Sequence, residues 1–202
     1  MIAIIDYGMG NLGSVKNALL KLGYEAMITS APEVILQAEK VILPGVGAFA
    51  DAIGNIRSLG IDQVIREVVR QEKPFLGICL GMQLLFTESD ENGVHQGLDI
   101  IPGRVEKFCL PGKFKVPQIG WNSIAINPAS KLLAGIPNGS YFYFVHSYYV
   151  VPADEAVAAA RTEYGVNFVS ALEQGRIFAT QFHPEKSSEL GLKILRNFGE
   201  MS

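Results

Sequence analysis

Cysteine, histidine and clustered charge are all scarce in this chain. Its two cysteines stand thirty positions apart among 202 residues. That spacing makes neither a disulfide framework nor a zinc motif. No run of lysine or arginine is longer than two residues, and the formal net charge is −3. A protein that grips nucleic-acid phosphates needs a clustered basic surface, so nucleic acid is excluded as a partner. The N-terminal Ile2–Ile5 run carries no basic residue before it and is too short for a signal peptide's apolar region of about 7–15 residues. No stretch approaches the roughly 20 apolar residues that cross a bilayer, which excludes a membrane helix. These absences describe a cytoplasmic protein with reduced thiols and no metal site. With 49% apolar and 18% charged residues, the chain is expected to form one globular domain over 1–202.

The first hundred residues alternate strand-length apolar runs with helix-spaced segments. Ile2–Ile5, Tyr24–Ile28, Val41–Leu43 and Pro74–Ile78 read as strands. Val15, Ala18, Leu19 and Leu22 fall at i, i+3, i+4 and i+7, and Ile61, Val64, Ile65 and Val68 repeat that spacing. Gly23 is placed to stop the first of these helices. Strand–helix alternation predicts an α/β fold, a central mostly parallel sheet with helices on both faces. The second half predicts added antiparallel or mixed strands at Val105–Phe108, Ile124–Ile126, Tyr141–Val151, Ala156–Ala160, Phe168–Leu172 and Ile177–Phe182. A last helix is expected from Ser187 to Phe198, and the polar stretch Thr87–Gln96 reads as a surface loop.

Gly8-Met9-Gly10-Asn11-Leu12-Gly13 fits G-x-G-x-x-G after a strand and before a helix. A dinucleotide site also needs an acid at the end of the second strand for the ribose. That strand ends in Thr29-Ser30-Ala31, so a tight glycine-dependent turn is the better account.

The sharpest local signal is Gly77-Ile78-Cys79-Leu80-Gly81, the thiol counterpart of the G-x-S-x-G nucleophile elbow. Its glycines leave room for a strained turn that lifts the sulfur above the sheet, and the helix that follows favours a thiolate. A buried structural cysteine is the commoner fate of a lone Cys, but position and flanking glycines favour a nucleophile here. Cys109 has no base near it in sequence and reads as structural.

A cysteine nucleophile needs a base, and the histidines are His95, His146 and His183. His95 lies in the polar stretch. Pro184 forces His183 into an extended backbone, which would bring Glu185 to its side as the orienting third member of a triad. Pro44-Gly45-Val46-Gly47 closes the third strand on the same sheet edge, where its backbone N–H groups and that of Leu80 can meet an oxyanion. The aromatic run Tyr141–Tyr149 reads mostly as core.

These segments together resemble class I, triad-type glutamine amidotransferases. Pro44–Phe49, Gly120-Trp121-Asn122, Tyr143–Tyr148 and Phe182–Ser187 resemble more narrowly the glutaminase subunits of imidazole glycerol phosphate synthases of histidine biosynthesis. The resemblance runs from Ile4 to about Ser188. It implies a flavodoxin-like fold and Cys79, His183 and Glu185 as the triad that releases ammonia from glutamine. It also implies oxyanion donors from Gly45, Val46 and Leu80, and glutamine binding by Gly47, Gln83, Glu91, His146, Ser147 and Tyr148. No metal or organic cofactor is implied. The implied partner is a (β/α)₈-barrel cyclase in a heterodimer, covering Asn11, Trp121, Tyr143 and Lys186. Three rivals use the same residues: an amidotransferase for anthranilate or aminodeoxychorismate synthesis, a peptidase or γ-glutamyl hydrolase, and a non-catalytic flavodoxin-like binding module.

Overall fold

The computed structural model describes residues 1–110, 112 and 114–201. Strand β1 (Ile2–Ile5) is buried on both faces and is followed by helix α1 (Leu12–Lys21) and strand β2 (Ala26–Thr29). Val15, Ala18 and Leu19 are the buried stripe of α1, as the spacing predicts. Gly23, at φ +86°, takes the left-handed turn that ends it, and Leu22 N–H closes on the Ala18 carbonyl. Then come α2 (Pro32–Gln37), β3 (Lys40–Gly45), α3 (Phe49–Ser58), α4 (Ile61–Arg70) and β4 (Phe75–Cys79). Helix α3 does follow the helical period, with Phe49, Ala52, Ile53 and Ile56 buried. Its alanines and Gly54 mute that signal in the sequence.

A four-residue helix, α5 (Leu80–Gln83), leads into the second half. There the strands are β5 (Phe86–Ser89), β6 (His95–Gln96), β7 (Ile101–Lys107), β8 (Gln118–Ser123), β9 (Ala125–Ile126), β10 (Tyr141–His146), β11 (Tyr148–Pro152), β12 (Ala158–Glu163), β13 (Asn167–Gln174) and β14 (Ile177–Thr180). Helix α6 (Ser188–Glu200) closes the chain. The main sheet runs β2-β1-β3-β4-β14-β13-β11-β7-β5-β6, with β12 on β13 and β9 on β12. From β2 to β14 every pairing is parallel, and from β14 to β7 every pairing is antiparallel. Strands β8 and β10 form a separate antiparallel ribbon.

Alternate residues of the parallel strands feed two cores. Ala3, Ile5 and Leu43 pack with Phe49, Val64 and Val68 on the side of α3 and α4. Ile2, Ile4, Ile78 and Phe178 pack with Val15, Leu19, Ile194 and Phe198 on the side of α1 and α6. This is the helix-covered arrangement that parallel sheets require.

Three readings of the second half need correction. Tyr141–Val151 is not one strand: it breaks at Ser147 and its halves belong to different sheets. Aromatic residues run through the break, so no change of period marks it. Thr87–Gln96 is not simply a loop, since Glu88 and Ser89 pair with Gln96 and His95 in an edge hairpin. Polar residues fill it, so no apolar alternation marks its strands, and the backbone ladder supplies the order. Ala156–Ala160 begins with a 3₁₀ turn, Glu155–Val157, before β12. The ribbon strand Gln118–Ser123 carries too few apolar residues to be read from sequence.

Candidate active site

Strand β4 ends on Cys79, whose backbone sits at φ +55°, ψ −111°, a conformation that side-chain-bearing residues rarely adopt. Such strain costs on the order of 1–3 kcal/mol and persists only where surroundings enforce it. The enforcement comes from two glycines. A β-carbon on Gly81 would fall 1.8 Å from the Leu43 carbonyl oxygen, and one on Gly77 would fall 2.8 Å from the Gly81 oxygen. The turn therefore presses against β3 so closely that only glycine fits. Helix α5 has only four residues, so the expected macrodipole contribution to a thiolate shrinks to that of one turn's N–H groups.

Strand β14 lies parallel beside β4, with Thr180 opposite Ile78, so the chain after Thr180 emerges on the edge where Cys79 stands. His183 is extended (φ −99°, ψ +98°), as the following proline demands. Pro184–Lys186, however, is a 3₁₀ turn rather than more extended chain. Glu185 therefore reaches His183 by the turn folding back, not by strand parity. Its Oε1 lies 2.8 Å from His183 Nδ1, and both side chains are almost wholly buried, at 2% and 1% exposure. Burial alone disfavours the imidazolium, but hydrogen bonding and charge from Cys79 and Glu185 outweigh it and hold the His183 pKa up at about 10. Nε2, the nitrogen not taken by Glu185, is buried and, apart from the Cys79 sulfur, has no hydrogen-bond partner among the described residues. It is the ring atom left to serve the sulfur.

A third residue fixes this segment. Ser187 Oγ donates to the His183 carbonyl (2.6 Å) and accepts from the Tyr143 N–H (3.0 Å), while the His183 N–H donates to the Tyr143 carbonyl (3.0 Å). Strand β10 and the His183 segment are thus joined by three hydrogen bonds.

Cys79 and His183 open on a cavity of about 410 Å³, also lined by Val46, Gly47, Leu80, Gln83, Glu91, Ser147, Tyr148 and Lys186. Pro117, Val145 and His146 complete it. Of the residues expected around a ligand, Gly45 alone stays behind the wall: it is paired with Cys79 in the β3–β4 ladder and packed against Tyr7 and Leu80. Tyr7 is buried and donates to the Pro44 carbonyl (2.9 Å), tethering the start of the Pro44–Gly47 turn. Glu91 accepts from the Phe49 N–H at the start of α3 (2.8 Å), which ties the tip of the edge hairpin to the cavity.

His146 lines the cavity but offers it no free nitrogen. Nδ1 lies 2.8 Å from the Tyr148 carbonyl, and Nε2 lies 2.8 Å from the side-chain amide of Gln118. Burial, partly offset by the Tyr148 carbonyl, brings its pKa down to about 4. A neutral ring that donates from Nδ1 must accept at Nε2, which calls for the Gln118 amide to present its N–H there in place of Oε1. His146 accordingly holds the Tyr148 backbone in place.

Beside the cavity mouth, Trp121 is half exposed and packs edge-on to Tyr143 at 6.3 Å, and Lys186 Nζ sits 6.0 Å from the Tyr143 ring. Ile119 and Tyr141 extend this exposed apolar face along the ribbon. Asn11 lies apart from these contacts, at the start of α1. The glycine turn before it has Gly8 at φ +85° and Gly10 at φ +139°, conformations that call for glycine without any nucleotide. Cys109 is exposed and His95 half-buried on the edge hairpin. Among the described residues, no group of three or more His, Cys, Asp or Glu stands close enough to hold a metal ion. No helix among them is long and apolar enough to cross a membrane.

Reading from sequence passed over Tyr7, Ser187 and Gln181. Ser187 had a signal, standing directly after the His-Pro-Glu-Lys run. Tyr7 and Gln181 act through buried contacts between distant strands, which no local pattern announces.

The family model "Glutamine amidotransferase class-I" matches residues 3–201. An "imidazole glycerol phosphate synthase subunit HisH" of Moorella thermoacetica is 54% identical over 200 residues, covering 99% of this chain and 94% of the relative. The protein of the same name from Syntrophotalea carbinolica is 52% identical over the full length of both. Among solved structures, a glutamine amidotransferase superposes with a TM-score of 0.77 at 21% identity, covering 98% of this chain and all of the other. PurLQS from Thermotoga maritima superposes with a TM-score of 0.74 at 18% identity, covering 98% and 96%. At these identities the structures speak for the fold, while the family match and the full-length relatives decide membership. The chain belongs to the class I glutamine amidotransferase family.

Proposed function

We propose that this chain is the glutaminase subunit of an imidazole glycerol phosphate synthase, cleaving glutamine to glutamate and ammonia for a second subunit. The full-length relatives of that name, more than 50% identical, support it. One geometric observation carries the chemistry: a buried His183–Glu185 pair and a strained Cys79 meet at one cavity. The chain is read as one amidotransferase domain over 1–202, since its main sheet draws strands from Ile2 through Thr180.

The Cys79 thiolate adds to the carboxamide carbon of glutamine. N–H groups of Leu80 and of the Val46–Gly47 end of the turn take up the oxyanion. The His183 imidazolium gives its proton to the departing nitrogen as the C–N bond breaks, leaving a glutamyl thioester and ammonia. His183, neutral again, draws a proton from water, whose oxygen attacks the thioester and returns glutamate and the thiol. Glu185 keeps the Nδ1–H tautomer and stabilises the imidazolium. Gln83, Glu91, Ser147 and Tyr148 hold the substrate's polar groups, and His146 positions Tyr148.

Ammonia released to bulk water becomes ammonium, which is not a nucleophile, so the acceptor subunit docks over the Cys79 edge. By resemblance that subunit is a (β/α)₈-barrel cyclase, and the Trp121–Tyr143–Lys186 patch is the face it covers, with Asn11 at its margin. Both proteins then work in the cytoplasm. Wasteful hydrolysis is avoided if the Pro44–Gly47 turn completes the oxyanion site only on docking. Glutamine turnover by the isolated chain should be very low and rise by orders of magnitude with the cyclase and its nucleotide ligand. Equal turnover with and without the partner would overturn the gating. A Cys79→Ala protein that still released ammonia in the complex would overturn the assignment itself.

A further inference from the structure

Gln181 is wholly buried, two residues before His183, and no step of the mechanism above uses it. Its Nε2 lies 3.6 Å from Cys79 Sγ, and its Oε1 lies 3.0 Å from Gln83 Nε2. The same Gln83 nitrogen lies 3.0 Å from the Tyr148 carbonyl. A backbone carbonyl can only accept, so the Gln83 atom facing it must be the NH₂ group. The Gln181 atom facing that NH₂ must then be the amide oxygen, and the opposite end of Gln181 is left as a donor aimed at sulfur. One carbonyl therefore sets the direction of two amides and delivers an N–H to Cys79. Besides the His183 ring, the sulfur meets the Val145 carbonyl at 3.9 Å, which can only accept and so favours the protonated thiol. With α5 reduced to one turn, the nucleophile lacks a strong helix field to favour its anion.

We propose that Gln181 is a positioning residue for the glutaminase chemistry, favouring the Cys79 thiolate by hydrogen-bond donation and turning the Gln83 amide oxygen toward the substrate. The second role follows from the first. Both hydrogens of Gln83 Nε2 are taken, by Tyr148 and by Gln181, so Gln83 faces the cavity with its carbonyl oxygen. An acceptor there selects a ligand that brings N–H groups, such as a carboxamide or an ammonium, over a carboxylate.

This inference rests on Cys79 being the nucleophile, and the test keeps the two ideas separate. The exposed Cys109 is first replaced by serine, so that alkylation of the full chain by iodoacetamide reports on Cys79 alone. The pH midpoint of alkylation is then compared for Gln181 and for Gln181→Met, which keeps length and volume but cannot donate. The expected result is a midpoint about one pH unit higher, with alkylation about tenfold slower at pH values below both midpoints, because each unit there changes the thiolate fraction tenfold. Gln83→Leu should move the midpoint the same way by less, since it frees the Gln181 amide to turn; it serves alone if Gln181→Met does not fold by circular dichroism. In the complex, Gln181→Met should also lower kcat for glutamine. An unchanged midpoint in a folded variant overturns the role of Gln181 while leaving Cys79 as nucleophile. A Cys79→Ser complex that still turned over glutamine would instead overturn the reading on which it rests.

Discussion

Replacing Glu185 by glutamine separates what orients His183 from what charges it. The amide keeps the shape of the carboxylate and can offer Oε1 to the Nδ1–H now 2.8 Å away, so ring orientation and tautomer survive. What disappears is the negative charge. His183 is held at about 10 against its burial by Cys79 and Glu185 together, and losing one close opposite charge should lower its titration midpoint by about 2 pH units. At 1.36 kcal/mol per unit this is about 3 kcal/mol of imidazolium stabilisation. The ammonia-expelling step passes through that imidazolium, so kcat in the complex should fall about a hundredfold. His183→Ala and Cys79→Ala should lose more, since each removes a reacting atom. The pair also marks the pH dependence of folding. A raised imidazolium lends stability that is complete below about pH 6.5 and fades as pH rises through about 10. In the variant that fading should finish about 2 units earlier. The measurements are glutamine turnover in the saturated complex and the His183 ring-proton titration by NMR. A titration midpoint unmoved by Glu185→Gln, or a kcat within threefold of the native value, would refute the account.

A glutamine-analogue diazo-ketone should label Cys79 and spare Cys109 in peptide maps of the complex, and an adduct on Cys109 would sink the elbow assignment. Gly81→Ala drives a β-carbon into the Leu43 carbonyl and should cost at least about 3 kcal/mol, a fall in Tm of roughly 10 °C. Gly13→Ala, in α1 with open space at the β-carbon, should instead stabilise by about 0.5–1 kcal/mol. Equal thermal shifts for the two would contradict the packing account of the elbow. Trp121→Ala should weaken the complex by about 2 kcal/mol, near thirtyfold in Kd by titration calorimetry, with little change in Tm, because the ring is half exposed. Unchanged affinity would remove Trp121 from the docking face.

The parallel half was readable because its signals are local. Strand-length apolar runs, the Val15-to-Leu22 stripe and the Gly23 stop each lie within a few residues of what they specify. The elbow was readable for the same reason, its glycines being neighbours of the sulfur they accommodate. The antiparallel half was readable as strands but not as sheets. Whether Tyr143 and Tyr149 share a sheet depends on where the chain turns, and an aromatic at nearly every position hides the turn at Ser147. Residues whose work is done across the fold left the least trace. Tyr7 meets Pro44 across 37 positions, and Gln181 meets Cys79 across 102. A buried glutamine at the end of a strand is an anomaly only once its burial is known.

The ribbon of β8 and β10 gives that distance a mechanical sense. Tyr143 turns its ring outward, beside Trp121 and Lys186. Its backbone turns inward, with the carbonyl on the His183 N–H and the N–H on Ser187 Oγ. Ser187 in turn holds the His183 carbonyl. A partner that presses on the Trp121–Tyr143 face therefore acts one side chain away from the peptide that carries the base. Two strand positions further on, Val145 faces the Cys79 sulfur, and the strand ends on His146, which holds the Tyr148 carbonyl that orients Gln83. His183, Cys79 and the Gln83 amide are all tied to this single strand, which lies outside the twelve-stranded sheet and, among the described residues, pairs with β8. A strand held by β8 on one edge and by the His183–Ser187 segment on the other, with its outer face exposed, is the element best placed to bring the three into register together.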